Sequence, residues 1–401
     1  MMDFRQCTWD EEIIKIFENN SLGATENGFL NLLPCLADFD GDSTDLSMST
    51  ESFIRNGIPQ NRFDGSDNPY WKRWPELRGH KVADEQKNEN FCRLFLGIGD
   101  GAAANIGSKC GSTKVSAPRI AVTIGTSAAA RVCLPLPIKS PPPTSTDDEE
   151  SDIAVPPGLF CYRVDQNRLL LGGALTDGGS VVEWARSLLN LQSKEHFGTC
   201  MEKVAELYVN NCTSSVSAST ATNSISMVPF LSGERSTGFR GGARACLSGI
   251  TRETTPTHVM YACLEGVILR LGAILNLINS ACNRMGGESE TCTKSVLVAS
   301  GNALERNPLW RQMLADCSGL DVIVDGESNE GTSRGVAILL AGSLKHSSRR
   351  EQIGVDQLRD EETLTVEQNA SPNSNSFPFW KKASLNQDFL IEAVSSTWTI
   401  G

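Results

Sequence analysis

Residues Ile120 to Leu134 read I-A-V-T-I-G-T-S-A-A-A-R-V-C-L. The β-rich run Ile120–Ile124 predicts a strand, Gly125-Thr126-Ser127 a tight turn, and Ala130–Leu134 a second strand. Further on, Leu159–Val164 and Arg168–Gly172 read as strands with Asp165-Gln166-Asn167 as a hairpin turn. Helical patterns follow at Gly179–Leu191 and His196–Val209, then a short strand at Met227–Leu231. The most pronounced helix opens with Thr255 as N-cap and Pro256 at its first position. Its apolar residues, from Val259 to Ile278, fall on one broad face, so it should be a buried central helix ending near Asn283. Ser295–Ala299 reads as a buried strand, Asn307-Pro308 as the start of a helix closed by Gly319, and Leu320–Val324 as a strand. A small-residue helix over Gly331–Gly342 comes last. Successive strands followed by alternating helices and strands predict an α/β fold, a mixed sheet with helices on both faces.

Upstream, Leu96–Ser108 reads L-G-I-G-D-G-A-A-A-N-I-G-S. One carboxylate, Asp100, stands between glycines ahead of a small-residue helix over Ala102–Gly107. Such a helix packs closely on a neighbour or a ligand, and the glycines allow the backbone to turn sharply. Asp100 has two readings at this stage, a helix N-cap or a functional carboxylate. Trp9–Asn19 reads as a short amphipathic helix, and Ser21 to about Asn90 shows no clear period. Residues 137–157, with P-P-P, T-S-T and D-D-E-E, read as a disordered insertion, and Thr213–Ser226 as a loop. The chain reads as polar and tail-like from Gly342 to Phe377, and Phe389, Leu390, Ile391, Val394 and Trp398 suit a last docked helix.

Composition narrows the function classes. A chain of 401 residues exceeds one ordinary core. The net charge of −12 argues against nucleic acid or an anionic membrane as the main partner. No apolar run reads as long enough for a bilayer, and the acidic start lacks the layout of a secretory signal. Thirteen cysteines without a C-x-x-C pair suit a reducing, cytoplasmic compartment, and neither they nor the four isolated histidines form a metal motif.

The element order is that of the ribonuclease-H-like, actin-like ATPase domain, in which the turn between the first two strands holds nucleotide phosphate. Gly125 permits close backbone approach, and the Thr126 and Ser127 hydroxyls and amides can donate to phosphate oxygens. An ordinary hairpin turn is the alternative for that stretch alone.

Six stretches in order resemble the FGGY carbohydrate kinases, and within them the gluconokinase-like members, over roughly Thr8–Gly342. G-I-G-D-G-A-A-A-N-I-G-S is similar to the catalytic segment and T-I-G-T-S-A-A-A-R to the second phosphate motif. L-G-G-A-L-T-D-G-G from Leu171 and V-P-F-L-S-G-E-R-S-T-G from Val228 resemble two further blocks. A-S-G-N-A-L-E-R-N-P-L-W-R-Q-M-L-A-D from Ala299 resembles the adenosine motif, and G-T-S-R-G-V-A closes the set.

The resemblance implies an ATP-dependent, Mg²⁺-assisted transfer of phosphate to a hydroxyl of a gluconate- or ketose-like substrate. It implies that Asp100 is the general base and that Gly125 and Thr126, with Ser127 beside them, contact ATP phosphates. Gly172, Gly173 and Gly178 match the loop behind that turn, and Gly301, Asn302 and Asn307 the adenosine motif. Asn302 stands where the family usually has a second glycine. Glu234 and Arg235 are expected to form an ion pair that shapes the cleft. The resemblance implies that residues 1–115 are the end of a first kinase domain, 116–345 the C-terminal, actin-like domain, and 346–401 a tail. The early D-x-G-T/S phosphate loop of the family does not precede Asp100. A truncated kinase, completed by a missing domain or a second chain, is therefore expected. A catalytically inactive binding or regulatory module is the alternative.

Overall fold

The computed structural model describes residues 2–3, 8–9, 98–113, 118–136, 155–165, 168–213, 225–286, 295–325, 331–343 and 366–398. Two units are distinguished, Met1–Gly99 with Leu339–Ser348, and Asp100–Ile338 with Arg349–Gly401. In the first, β1 (Met2–Asp3) pairs antiparallel with β2 (Thr8–Trp9). Trp9 therefore lies in a strand, and the rest of the helix expected to Asn19 falls outside the described residues, as do the 137–154 part of the expected insertion and most of the 213–226 loop.

The second unit is built on a seven-stranded sheet. Its elements are α1 (Asp100–Gly107), β3 (Arg119–Ile124), β4 (Ala128–Pro135), β5 (Phe160–Asp165), β6 (Arg168–Leu175), α2 (Gly179–Leu188) and α3 (Lys194–Thr213). Next come β7 (Ser226–Val228), β8 (Cys246–Ser248), α4 (Pro256–Gly286), β9 (Val296–Ser300), α5 (Asn302–Arg306), α6 (Pro308–Ser318) and β10 (Asp321–Asp325). The last are α7 (Gly331–Ser343), β11 (Val366–Ala370) and α8 (Phe377–Ser395). The strand order is β11-β10-β9-β3-β4-β6-β5. The neighbouring pairs β3–β4, β4–β6 and β6–β5 are antiparallel, β3, β9 and β10 run parallel, and β11 closes the edge antiparallel. The sheet is mixed, as the element order predicts.

Alternation along the strands sorts the faces. Register puts Ala121, Val298 and Ile323 on one face, and with Cys110 they form a buried cluster. The same face of β4 carries Ala129, Arg131 and Cys133. Helix α1 lies over it, with the Asn105 amide 3.5 Å from the Cys133 sulfur. The opposite face carries Gly173, where α4 comes so near that a Cβ would meet the Ile274 side chain at 2.8 Å. Helices thus cover both faces.

Helix α4 starts where its caps predict. The Thr255 N–H donates to Nδ1 of His258, three residues on, in the manner of a capping box. This helix corrects the expectation that no segment is apolar enough for a bilayer: by length and composition Pro256–Arg284 qualifies, but 83% of its most apolar stretch is buried inside the protein. It is the core helix. Strand β11 corrects the tail reading of Val366–Ala370, a polar segment that finds its place at the sheet edge beside β10. Helix α8 packs on β7 and α4. The buried Gln387 amide donates to the carbonyls of Met227 (2.7 Å) and Gly266 (3.0 Å), and Arg270 of α4 pairs with Asp388 at 3.0 Å.

Candidate active site

The C-terminal ends of parallel β3 and β9 lie side by side, and the turn after β3 and the turn after β9 meet there. In open α/β sheets this edge is where ligands bind. Gly301 follows β9 with φ 88°, a backbone that favours glycine, and a Cβ on it would sit 2.7 Å from the Ile124 carbonyl oxygen. Its N–H donates to the Glu305 carboxylate (3.0 Å), and Ser300 Oγ and Thr123 Oγ1 lie 2.7 Å apart across the two strands.

The turn Gly125-Thr126-Ser127 is exposed. Its carbonyls are bound by the start of α2: Gly179 N–H donates to Gly125 O (2.7 Å), and the N–H groups of Gly178 and Ser180 donate to Thr126 O (2.8 and 3.2 Å). The first amides of α2, which have no partner inside a helix, thereby clamp the turn from behind. Gly178 makes this possible, since a Cβ there would lie 2.7 Å from the Ser127 carbonyl. Gly125 differs. Among the described residues, a Cβ on it would meet nothing nearer than 4.0 Å, so no described residue fills the space in front of the turn. Behind α2, the buried Asp177 carboxylate accepts from Ser180 Oγ (3.1 Å) and from Ser232 N–H (2.7 Å), which ties the helix start to the L-S-G-E-R loop.

Asp100 opens α1 and is exposed, with Oδ1 accepting from the Gly101 N–H at 2.7 Å. It is the first residue of the helix, and its carboxylate is open to solvent. Helix α1 crosses β4 at Arg131. A Cβ on Gly101 would sit 3.0 Å from the Tyr162 hydroxyl and 3.3 Å from Arg131 Nε. Burial lowers the pKa of Arg131, an effect opposed by Tyr162 and Asp100 and reinforced by Arg235. Burial raises that of Tyr162, so its phenol keeps its proton and remains a donor. Arg131 and Tyr162 are the residues that motif reading missed. The available signal was a lone arginine inside the alanine-rich strand after the turn.

The remaining sequence candidates divide. The turn, Gly178 and Gly301 come together at the sheet edge. Asn302 takes up the first position of α5, exposed and with helical backbone, a conformation that does not require glycine. Asn307 is the N-cap of α6, its side chain accepting from Trp310 N–H at 3.1 Å. Gly173 is occupied by its packing against Ile274 rather than by the turn. The ion pair expected between Glu234 and Arg235 is instead between Glu234 and Arg240, at 2.5 Å. The chain folds back through an N–H of Phe239 donating to Arg235 O (2.6 Å), which carries residue 240 to the buried carboxylate. Among the described residues no group of three or more His, Cys, Asp or Glu side chains is placed to hold a metal ion.

This sheet order, with helices on both faces and its glycine turns at one edge, defines the ribonuclease-H-like, actin-like α/β class. The model of the C-terminal domain of the FGGY family of carbohydrate kinases matches residues 120–344, and the chain belongs to that family. A gluconokinase of Bacillus licheniformis is 28% identical over 346 residues, covering 84% of this chain and 52% of the relative. Among solved structures, a xylulose kinase from Lactobacillus acidophilus superposes with a TM-score of 0.62 at 20% identity, over 99% of this chain and 63% of that one. A gluconate kinase from the same organism gives 0.55 at 21% identity, over 77% and 53%. The chain spans about half the length of the curated relatives it matches.

Proposed function

We propose that the protein acts in ATP-dependent phosphorylation of a sugar or sugar acid hydroxyl, with Asp100 as general base and the Gly125–Ser127 turn and Gly301 as part of the nucleotide site. The observation that carries this reading is the exposed turn beside Gly301: hydrogen bonds hold the turn from behind, and none of the described residues fills the space in front of it. The residues fit a nucleotide. Thr126 and Ser127 offer hydroxyls and amides to phosphate oxygens, and Gly301 brings the end of β9 against that of β3. ATP, when bound, supplies the phosphoryl group. Asp100 accepts the proton of the attacking hydroxyl, whose acidity rises as its bond to phosphorus forms. Its exposure leaves it within reach of a substrate.

Mg²⁺ generally accompanies ATP in this family, and we assign it no protein ligand among the described residues. Phosphoryl transfer draws on positioning from both walls of a cleft. The matched part covers about half the length of the relatives, and we assign the opposite wall to protein outside the matched part. The scattered cysteines, with no C-x-x-C pair in the sequence, are in keeping with a cytoplasmic enzyme.

Titration of ADP into the full chain tests the site. Binding that is lost in Gly301→Val and kept in Asp100→Asn is expected. Loss of ADP binding in Asp100→Asn alone would contradict the division of roles.

A further inference from the structure

Arg131, Gly172 and Phe160 are directly paired across β4, β6 and β5, and Tyr162 lies one row along on the same face, opposite Leu170. Gly172 has no side chain, and Arg131 uses the gap. A Cβ there would sit 3.0 Å from Arg131 Cγ and 3.1 Å from Phe160 Cζ. The arginine stem therefore lies down across β6 toward the Tyr162 hydroxyl, and the Tyr162 ring is held by stacking on Phe160 at 5.9 Å and 21°. Both head groups converge under Gly101, next to Asp100.

The charge balance of this patch is incomplete. Among the described residues Arg131 forms no ion pair or hydrogen bond. Asp100 and the cation Arg235 act on it through space, the first raising and the second lowering its pKa. The Tyr162 hydroxyl likewise donates to no group among the described residues. A half-buried guanidinium backed by a second cation, with a phenol donor beside it, is short of one anion. Guanidinium and phenol together match the planar or tetrahedral oxygens of a carboxylate or phosphoryl group.

Resting on the kinase reading above, we propose that Arg131 and Tyr162 form an oxyanion receptor beside Asp100. Two sources share that chemistry, the carboxylate of a sugar acid and the phosphoryl group in transfer. At the rise of a strand Arg131 lies roughly 13 Å along β4 from Ser127, so the receptor is on the Asp100 side of the site rather than in the turn.

The test is calorimetric titration of the full chain with D-gluconate, D-glucitol, inorganic phosphate and ADP, comparing wild type, Arg131→Gln, Arg131→Lys and Tyr162→Phe. A fall of about tenfold or more in gluconate affinity in Arg131→Gln, a smaller fall in Tyr162→Phe, partial recovery in Arg131→Lys and unchanged glucitol binding identify a carboxylate receptor. The same pattern for phosphate, with gluconate unaffected, identifies a phosphoryl receptor. Tyr162→Phe keeps the ring and its stacking, so its effect stands even where Arg131→Gln folds poorly. Equal affinity for both anions in wild type and variants, or binding of neither by the wild type, overturns the receptor. With ADP still bound, the kinase reading survives that result. Failure of the wild type to bind ADP would count against the kinase reading itself.

Discussion

Gly107 of α1 and Gly335 of α7 meet backbone to backbone: a Cβ on either would lie 2.9 Å from the amide nitrogen of the other. A Cβ on Gly107 would also collide with the carbonyl of Gly331, and one on Gly335 with that of Ala103. The small-residue run that opens with Asp100 is thus spent on a neighbouring helix rather than on a ligand. The helix that carries the proposed base is locked to the helix that follows β10.

Gly335→Ala should therefore destabilise the protein well beyond the usual effect of adding a methyl group inside a helix. Overpacking costs about 1–3 kcal/mol where side chains can move, and here backbone must. A cost at or above that range, read from urea unfolding, is expected. An unchanged midpoint would contradict the close crossing.

Gly301→Ala combines positive φ with a collision against Ile124 O. Strain of about 1–3 kcal/mol should appear as lower stability together with weaker ADP binding, because the end of β9 must pull away from the turn. Reduced stability with full ADP affinity would remove Gly301 from the nucleotide site.

Asn307→Ala tests the opposite case. The side chain is committed to the α6 cap, so a loss of about 1 kcal/mol in stability with unaltered ADP affinity is expected. A specific loss of ADP binding at full stability would restore the adenosine-site role implied by its motif.

Glu265 of α4 is fully buried beside Tyr261, and its charge is felt by the thiols of Cys212 and Cys317. Burial raises its pKa from 4.5 to about 8. The folded state therefore holds a proton that the unfolded chain releases above pH 4.5. Stability linked to this group is full below that pH and falls as pH rises toward 8. Glu265→Gln, which is neutral throughout, should change little at pH 4.5 and gain on wild type as pH approaches 8. A gain of at least about 1 kcal/mol corresponds to roughly 2–4 °C in Tm for a domain of this size. Parallel Tm curves for the two proteins would show that Glu265 ionises normally.

Much of the sheet is legible in the sequence because its strands are apolar runs set off by glycine turns. Ile120–Ile124 and Leu320–Val324 differ from the observed strands by a residue at the ends, and the helix beginning at Pro256 by a few at its end. Strand β11 is not legible, since V-E-Q-N-A has no apolar period and owes its conformation to pairing with β10. The glycines carry motif information without distinguishing its uses. Gly178 backs the turn, whereas Gly173 of the same block makes room for Ile274. The partner of Glu234 depends on a chain reversal between residues 235 and 239, which no spacing rule signals. Arg131 and Tyr162 come together only through the gap at Gly172, a relation between three strands that one-dimensional reading does not reach.

The most direct test of the account is sugar-dependent release of ADP from ATP by the full chain, with D-gluconate as acceptor, for wild type and Asp100→Asn. The account predicts turnover that the substitution lowers by at least about a hundredfold, the lower end of what a general base contributes, while ADP still binds. Turnover in Asp100→Asn equal to wild type would contradict it.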